Sequence, residues 1–228
     1  MPQTKTWNKE YKKPLLLSLQ SSPQNDVKDF LKFVRKIEKI ELKGLSILDL
    51  GSGTGRNSNY LAELGSKVVG LEISKVAMEL ARKRAVEMGV TVDYRIYNIG
   101  TKYTFDDSSF DLVLDVLSSN SLNEMEREIY LTESHRILKP QGHFFVKALC
   151  KDGDKNAKNL LKISPGSEHD TYVNKDMGLV ERVFSEKDFR SLYSRYFTIL
   201  KLVKKTNYAK FRGQNYKRNY WLAYMKKA

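Results

Sequence analysis

Residues 47–55 limit the possible folds of this chain more than any other segment. They read Ile-Leu-Asp-Leu-Gly-Ser-Gly-Thr-Gly, an apolar stretch that runs into three glycines spaced as G-x-G-x-G. The apolar part predicts a buried strand, and glycines without a Cβ let a ligand approach the backbone closely. A helical pattern follows at residues 57–64. A strand, a glycine loop and a helix in this order predict a βαβ unit with a ligand site at the loop.

A carboxylate completes this pattern. The next apolar run, residues 67–72, ends in Glu72, which lies 21 residues after Gly51. A carboxylate at this distance can accept hydrogen bonds from both hydroxyls of a ribose. Arg56 occupies the position of the third glycine in the dinucleotide pattern G-x-G-x-x-G, and no Gly-Lys-Ser/Thr follows, which excludes a phosphate-binding P-loop. The two features together predict a ligand that contains adenosine.

The rest of the chain continues the alternation of strands and helices. Apolar spacing predicts further helices at residues 27–40, 75–88, 123–137 and 186–193, and further strands at 90–97, 110–117 and 143–149. Two last strands, 197–204 and 216–225, are joined by about ten polar residues without a helix, so they must run antiparallel. We therefore predict an α/β protein with a parallel sheet covered on both faces and finished by a β-hairpin.

Composition supports one intracellular domain. The 228 residues are 41% hydrophobic and 29% charged, which excludes a disordered chain, and the single cysteine, Cys150, excludes an internal disulfide. No apolar run approaches membrane-spanning length. We expect a cytoplasmic protein without a membrane partner, as a monomer or weak dimer. We divide its single domain, 1–228, into an N-terminal lid and helix (1–43), a binding core (44–150), an insertion (151–183) and a C-terminal helix and hairpin (184–228).

The charge is concentrated at the ends of the chain. The net charge is +13, and the last 30 residues carry nine basic side chains and no acidic one, interleaved with aromatic residues. Such a segment could hold nucleic acid by phosphate contacts and base stacking. Alternatively it forms two strands with aromatic side chains in the core, the interpretation that we favour. In that case Lys204, Lys205, Lys210 and Arg212 lie in the hairpin loop or at its base, away from the ligand site.

Four segments resemble the class I S-adenosylmethionine-dependent methyltransferases. Residues 47–55 are similar to the first motif of that family, 68–74 to its second strand, 110–115 to its fourth strand and 138–142 to the turn before its fifth strand. The resemblance covers about residues 30–228 and implies a Rossmann-like, doubly wound, seven-stranded sheet, mostly parallel with a C-terminal antiparallel β-hairpin. Residues 7–11 and 55–62 are similar to the small tellurite-resistance and thiopurine-type branch.

The resemblance also implies a cofactor and its contacts. The cofactor would be S-adenosylmethionine, the product S-adenosylhomocysteine, and no metal is expected. Asp49 and the glycine loop would orient the methionine part, and Glu72 would hold the ribose. The adenine would lie between Ile73 and the pair Asn98 and Ile99, with Asn98 where many members have Asp. The residues expected to bind the cofactor are Asp49, Gly51, Ser52, Gly53, Gly55, Asn57, Glu72, Ile73, Asn98, Ile99, Asp115 and Val116.

Catalytic residues are harder to infer from the sequence. Methyl transfer from a sulfonium is an in-line displacement, in which a protein contributes mainly alignment and exclusion of water. The lid candidates are Trp7 and Tyr11 in the N-terminal segment and His169 and Tyr172 in the insertion. The last two are also the candidates for a general base, although His169 also fits a solvated loop residue.

Three functions remain open at this stage. The favoured one is methylation of a small-molecule acceptor. The second is methylation of RNA or protein, with the basic C-terminal segment as the docking surface, and the third is a module that binds the cofactor without turnover. Residues 115–118 read Asp-Val-Leu-Ser, so the Asn-Pro-Pro-aromatic motif of DNA amino-methyltransferases is absent.

Overall fold

The computed structural model describes residues 3–15, 19–211 and 214–228. Seven strands form the main sheet: β1 (Ser46–Leu50), β2 (Lys67–Glu72), β3 (Asp93–Ile96), β4 (Phe110–Val116), β5 (Leu138–Leu149), β8 (Thr198–Phe211) and β9 (Gln214–Lys226). A separate hairpin consists of β6 (Thr171–Asn174) and β7 (Leu179–Arg182). The α-helices are α1 (Thr4–Lys12), α2 (Asn25–Lys36), α3 (Arg56–Glu63), α4 (Lys75–Glu87), α5 (Glu124–Ile137), α6 (Lys155–Ile163) and α7 (Glu186–Tyr193).

The strand order of the main sheet is β3-β2-β1-β4-β5-β9-β8. The first five strands along the chain are parallel, whereas β9 runs antiparallel to β5 and to β8. The mostly parallel seven-stranded sheet with a terminal hairpin is therefore confirmed. The order reverses between β1 and β4, and in such sheets a ligand binds at the carboxyl ends of the strands beside this point.

Helices cover both faces of the sheet. Successive side chains of β5 point to opposite faces, so two neighbouring residues show what packs on each face. Phe145 stacks on Phe30 of α2 at a ring-centroid distance of 5.1 Å. Its neighbour Phe144 belongs to the opposite core, together with Tyr130 of α5 and Phe189 of α7. The helices therefore shield two apolar faces, and the carboxyl ends of the parallel strands are left to form a site.

The predicted hairpin loop of about ten residues is wrong. Cross-strand pairing continues from Lys204 opposite Trp221 to Phe211 opposite Gln214. Lys204, Lys205 and Lys210 therefore belong to β8, and Arg212 lies outside the described residues. The sequence pattern was misleading because both strands are polar where they leave the core, so no apolar alternation marks them.

The two long strands form an arm, which we define as residues 206–211 and 214–219. β5 ends at Leu149, which pairs with Tyr220, so the arm extends past the carboxyl end of β5. This is the edge at which β1 and β2 also end. The arm lies on the side of the sheet formed by β5, β9 and β8, and the expectation that the basic residues of the hairpin lie away from the ligand site stays a prediction.

Two further segments have structure that the sequence analysis did not specify. The N-terminal segment forms α1, which is held to the start of α4 by a 2.7 Å hydrogen bond from the Ser74 hydroxyl to Asn8 Oδ1. The insertion contains α6 and the β6–β7 hairpin. Within the described ranges, no helix is long and apolar enough to cross a membrane.

Candidate functional site

The glycine loop after β1 is tightly enclosed. Gly51 and Gly53 have φ angles of +67° and +55°, a region that L-residues rarely adopt. A Cβ on Gly51 would stand 2.2 Å from Ser118 Cβ, and one on Gly53 would stand 2.8 Å from the Tyr11 hydroxyl oxygen. The backbone is thus pressed between the segment after β4 and helix α1, and a larger residue at either position would displace one of them.

Glu72 connects this loop to the end of β2. Its side chain is buried, with Oε2 accepting a 2.9 Å hydrogen bond from Gly53 N–H and Oε1 a 2.8 Å bond from Ser74 N–H. Burial raises the pKa of Glu72, although these backbone donors oppose the shift. Because a carboxylate oxygen has two acceptor sites, each oxygen keeps one for a ligand.

Two adjoining cavities lie at this edge of the sheet. We call the first, of about 140 Å³, the Glu72 cavity and the second, of about 110 Å³, the Asp49 cavity. Predicted residues on the Glu72 cavity are Trp7, Tyr11, Gly51, Glu72, Ile73, Asn98, Ile99 and Val116. Predicted residues on the Asp49 cavity are Tyr11, Asp49, Gly51, Ser52, Gly53, Asn57 and Val116. The structure thus brings most of the predicted site residues together.

Tyr11 stands where the two cavities meet and contributes to the wall of both. Its ring centroid is 6.3 Å from that of Trp7, one helical turn earlier in α1. Burial and the nearby carboxylate of Glu72 raise the pKa of Tyr11 well above its usual value, so the phenol stays protonated. Helix α1 therefore roofs the site with two aromatic side chains, one of which presents a hydroxyl to it.

Asp49 lies at the bottom of its cavity. The carboxyl is only 2% exposed and accepts a 2.5 Å hydrogen bond from the Ser58 hydroxyl. Burial raises its pKa to about 7, and the charges of Asp115 and Glu72 act in the same direction. A cationic group in the cavity would favour the ionised form of Asp49, because an opposite charge offsets the penalty of burial.

Arg56 is a site residue that the sequence analysis missed. It lines the Asp49 cavity and is the first residue of α3, whose free N–H groups also favour an anion. Burial lowers the pKa of its guanidinium. The cavity thus offers a carboxyl and a cation to one ligand, which suits an amino acid with its ammonium and carboxylate. The position of Arg56 at a helix start was the signal available in the sequence.

The far wall of the Glu72 cavity is suited to a flat ring. Ile73 follows β2, and Tyr97, Asn98 and Ile99 follow β3. Asn98 is buried, and its Oδ1 accepts a 3.0 Å hydrogen bond from Gly100 N–H, which fixes the amide. Apolar walls with one fixed amide provide both contact area and a hydrogen-bonding group for a heterocycle.

Asp115 and Gly55 line neither cavity. Gly55 packs against Tyr94 of β3, whose hydroxyl would stand 2.2 Å from a Cβ there. The fully buried Asp115 accepts a 2.9 Å hydrogen bond from Ser118 N–H and one of 2.7 Å from the Tyr130 hydroxyl. It thereby fixes the segment that contains Leu117, a cavity residue with a φ of +68°. Asp115 therefore shapes the wall of the Glu72 cavity indirectly, by fixing the backbone of the segment that contains Leu117.

His169 and Tyr172 also lie away from both cavities. His169 is 64% exposed, with Nε2 3.3 Å from Asp170 Oδ2 and 3.8 Å from Asp188 Oδ2. These three side chains could together approach a metal ion, but Lys151 already forms an ion pair with Asp170. Tyr172 is buried in the insertion and donates a 2.7 Å hydrogen bond to Glu181 Oε2. The geometry gives neither residue a position from which to act as a base at these cavities.

A glycine loop after β1, a buried carboxylate at the end of β2 and cavities where the strand order reverses define an α/β protein built to bind an adenosine-containing ligand. Residues 48–146 match the family described as "Methyltransferase domain". This match, together with solved S-adenosylmethionine-dependent methyltransferases of the same fold, supports a class I S-adenosylmethionine-dependent methyltransferase, with S-adenosylmethionine as the cofactor.

The individual relatives and solved structures share only modest sequence identity with this chain. Over 153 residues the chain is 29% identical to a ubiquinone biosynthesis O-methyltransferase of Pelagibacter ubique, a match that covers 64% of this chain and 61% of that protein. The chain thus spans about three fifths of this curated relative. A methyltransferase structure from Methanosarcina mazei, 21% identical, superposes with a TM-score of 0.72 and covers 90% of this chain and 98% of that one.

The narrower resemblance to the tellurite-resistance branch is not confirmed. TehB from Haemophilus influenzae is 15% identical, with a TM-score of 0.65, 98% of this chain covered and 67% of that one. This likeness concerns the fold alone.

Proposed function

We propose that this protein transfers a methyl group from S-adenosylmethionine to an oxygen of a small-molecule acceptor. The observation that carries the proposal is the roof that α1 forms over two joined cavities at the carboxyl ends of β1, β2 and β4. A roofed site admits a small acceptor more readily than a polymer. The name of the Pelagibacter relative, an O-methyltransferase, supports oxygen as the accepting atom.

The two cavities suit the two halves of the cofactor. Adenosine fits the Glu72 cavity, with the ribose hydroxyls donating to Glu72 and the adenine against Ile73 and Ile99. The methionine part fits the Asp49 cavity, where Asp49 attracts its ammonium and Arg56 its carboxylate. A molecule that fills both cavities must pass Tyr11, so binding requires that the Tyr11 side chain turn away from the Gly53 backbone.

Methyl transfer needs few contributions from side chains beyond binding of the cofactor. When bound, the sulfonium of S-adenosylmethionine would supply an electrophilic methyl group to an acceptor oxygen, with neutral S-adenosylhomocysteine as the leaving group. Val116 and Leu117 form an apolar floor beside the point where the cavities meet, and α1 covers it. These residues align the reactants and exclude water, the contributions that matter most for a displacement of this kind. A phenol-like acceptor has a pKa of about 10, so a small fraction is ionised at neutral pH, and this phenolate would react after releasing its proton to solvent before it enters the roofed site.

The test is transfer of a labelled methyl group from S-adenosylmethionine to a panel of phenols, catechols, carboxylic acids, thiols and amines. We expect label in an oxygen acceptor, together with stoichiometric S-adenosylhomocysteine. Label only in thiols or amines would contradict oxygen as the accepting atom. Binding of the cofactor without label in any class would support a module without turnover.

A second candidate is methylation of RNA, and the arm favours it. The arm projects past the edge on which the cofactor cavities open, and it exposes Tyr208 opposite Lys217. Exposed aromatic and basic residues together suit single-stranded nucleic acid. Salt-sensitive binding of single-stranded RNA that falls in Lys217→Gln, with label in the RNA, would favour this candidate over a small acceptor.

A further inference from the structure

A third cavity lies outside the cofactor site, and we call it the arm cavity. It is enclosed by α6, the β6–β7 hairpin and the face of β9 that carries Tyr216 and Arg218. Its volume is about 350 Å³, and it shares no lining residue with the Glu72 or the Asp49 cavity. This volume falls within the range typical of small-molecule sites.

One amide of the arm cavity is held in place by the protein. Asn156 Nδ2 donates a 2.9 Å hydrogen bond to the backbone carbonyl oxygen of Lys217. A fixed amide gives the cavity a hydrogen-bonding group of defined orientation.

The walls of the arm cavity are flat and apolar. Tyr216 contributes a half-buried ring, and Leu160 and Val173 contribute aliphatic contact, while Tyr172 is almost fully buried. The Arg218 guanidinium carbon is 6.0 Å from the centre of the Tyr172 ring. Tyrosine rings and arginine planes are the surfaces on which heterocyclic bases stack.

The polar part of the lining suits a neutral molecule with several hydrogen-bonding atoms. Three amide side chains, Asn156, Asn159 and Asn174, lie around the cavity. The lining contains two basic residues, Lys175 and Arg218, and two acidic ones, Asp176 and Glu181, so it favours neither sign of charge on a ligand. Amides can both donate and accept, as the edge of a heterocycle requires.

We propose that the arm cavity binds a neutral, planar heteroaromatic molecule of nucleobase to nucleoside size. Its ring lies against Tyr216, and its edge meets the amides of Asn156, Asn159 and Asn174. Leu117 of the cofactor site packs against the apolar cluster that contains Tyr172. A molecule in the arm cavity is thus one apolar layer away from the cofactor, and it is a second ligand and not the methyl acceptor.

The test is calorimetric titration of the whole chain with caffeine, uracil and hypoxanthine, with trans-cyclohexane-1,4-diol as a non-planar control. We expect at least one heterocycle to bind more tightly than the diol. Tyr216→Ala should weaken that binding about fivefold or more, since stacking on an aromatic side chain contributes ~1–3 kcal/mol.

Tyr208→Ala is the matched control, because Tyr208 pairs with Lys217 and therefore lies on the opposite face of the arm from Tyr216. It should leave affinity unchanged within about twofold, or ~0.4 kcal/mol.

Asn159→Ala keeps the test valid if Tyr216→Ala fails to fold. Asn159 is an exposed residue of α6 that lines the arm cavity, so removing its amide should not destabilise the protein, but it should weaken binding of the heterocycle. Three results would each overturn the proposal: no heterocycle binding more tightly than the diol, equal losses in both tyrosine variants, or full affinity in Asn159→Ala.

Discussion

The carboxylate of Glu72 accepts a 2.9 Å hydrogen bond from the backbone N–H of Gly53, and so joins the end of β2 to the loop after β1. Two strands that are neighbours in the sheet thereby present one rigid edge to a ligand. The same carboxylate is expected to hold the ribose, so it serves both the architecture and the binding of the cofactor.

Glu72→Gln should weaken binding of S-adenosylhomocysteine by ~1.5–3 kcal/mol, because a charged hydrogen-bond acceptor is lost. Calorimetric titration measures this change. Glu87→Gln is the control, since Glu87 lies at the end of α4 with an exposed side chain. Equal affinities in the two variants, with both chains folded, would mean that the ribose is held elsewhere.

Trp7 should report cofactor binding. The chain contains two tryptophans, and Trp7 lines the Glu72 cavity whereas Trp221 is buried in the core of the sheet. Because Tyr11 must move for the cofactor to enter, the neighbouring Trp7 changes its surroundings. We expect the fluorescence to change on addition of S-adenosylhomocysteine, and the change to disappear in Trp7→Phe. A full change in that variant would contradict the role of α1 as a lid.

Cofactor affinity should rise with pH near neutrality. The pKa of Asp49 is about 7 in the free protein, so below that pH the carboxyl is protonated and loses its attraction for the methionine ammonium. Titrations between about pH 5.5 and 8.5 should show this rise, and Asp49→Asn should bind more weakly and without it. If the cofactor affinity of Asp49→Asn still rises with pH as it does in the unchanged protein, a group other than Asp49 causes the pH dependence.

Ionisation of Asp49 favours cofactor binding but lowers the stability of the free protein. Because the folded pKa of Asp49 lies above that of an ordinary aspartate, the folded state binds the proton more tightly. The contribution of Asp49 to stability is therefore present at low pH and decreases as the pH rises towards about 7. Urea denaturation at several pH values should show a smaller decrease in Asp49→Asn.

A buried ion pair anchors α2 to the sheet. Lys147 Nζ of β5 lies 2.7 Å from Asp26 Oδ2, and Asp26 also pairs with Lys205 of β8. Asp26→Asn should lower the free energy of unfolding by about 3–5 kcal/mol, because a buried lysine loses its partner. Asp29→Asn, which breaks an exposed pair with Lys32, should cost less than about 1 kcal/mol. If urea denaturation gives similar losses of unfolding free energy for Asp26→Asn and Asp29→Asn, the buried pair contributes no more than the exposed one.

The sequence predicted the parallel part of the fold well because its central strands are buried on both faces, although the edge strand β3 exposes three of its four residues. Residues 67–72 and 110–116 are short apolar runs, and the glycine loop marks the end of β1. The apolar pattern did not predict secondary structure where an element is buried on one side only or not at all. The arm residues are polar on both faces, and α1 has Trp7 and Tyr11 as its aromatic residues in an otherwise polar segment.

The candidate site was predicted where it depends on local sequence. Glu72 is the last residue of β2, and Asn98 and Ile99 come soon after β3, so the ends of these strands bring all three to one edge. His169 and Tyr172 depend on how an insertion packs, which spacing does not encode. Asp115 was placed correctly along the chain, but its side chain turns to the segment that follows β4.

Calorimetric titration of the purified chain with S-adenosylhomocysteine tests the cofactor site most directly. The two joined cavities predict binding of one molecule per chain, weakened by Glu72→Gln and unaffected by Glu87→Gln. Absence of binding by the folded chain, with binding of a nicotinamide dinucleotide in its place, would contradict the assignment.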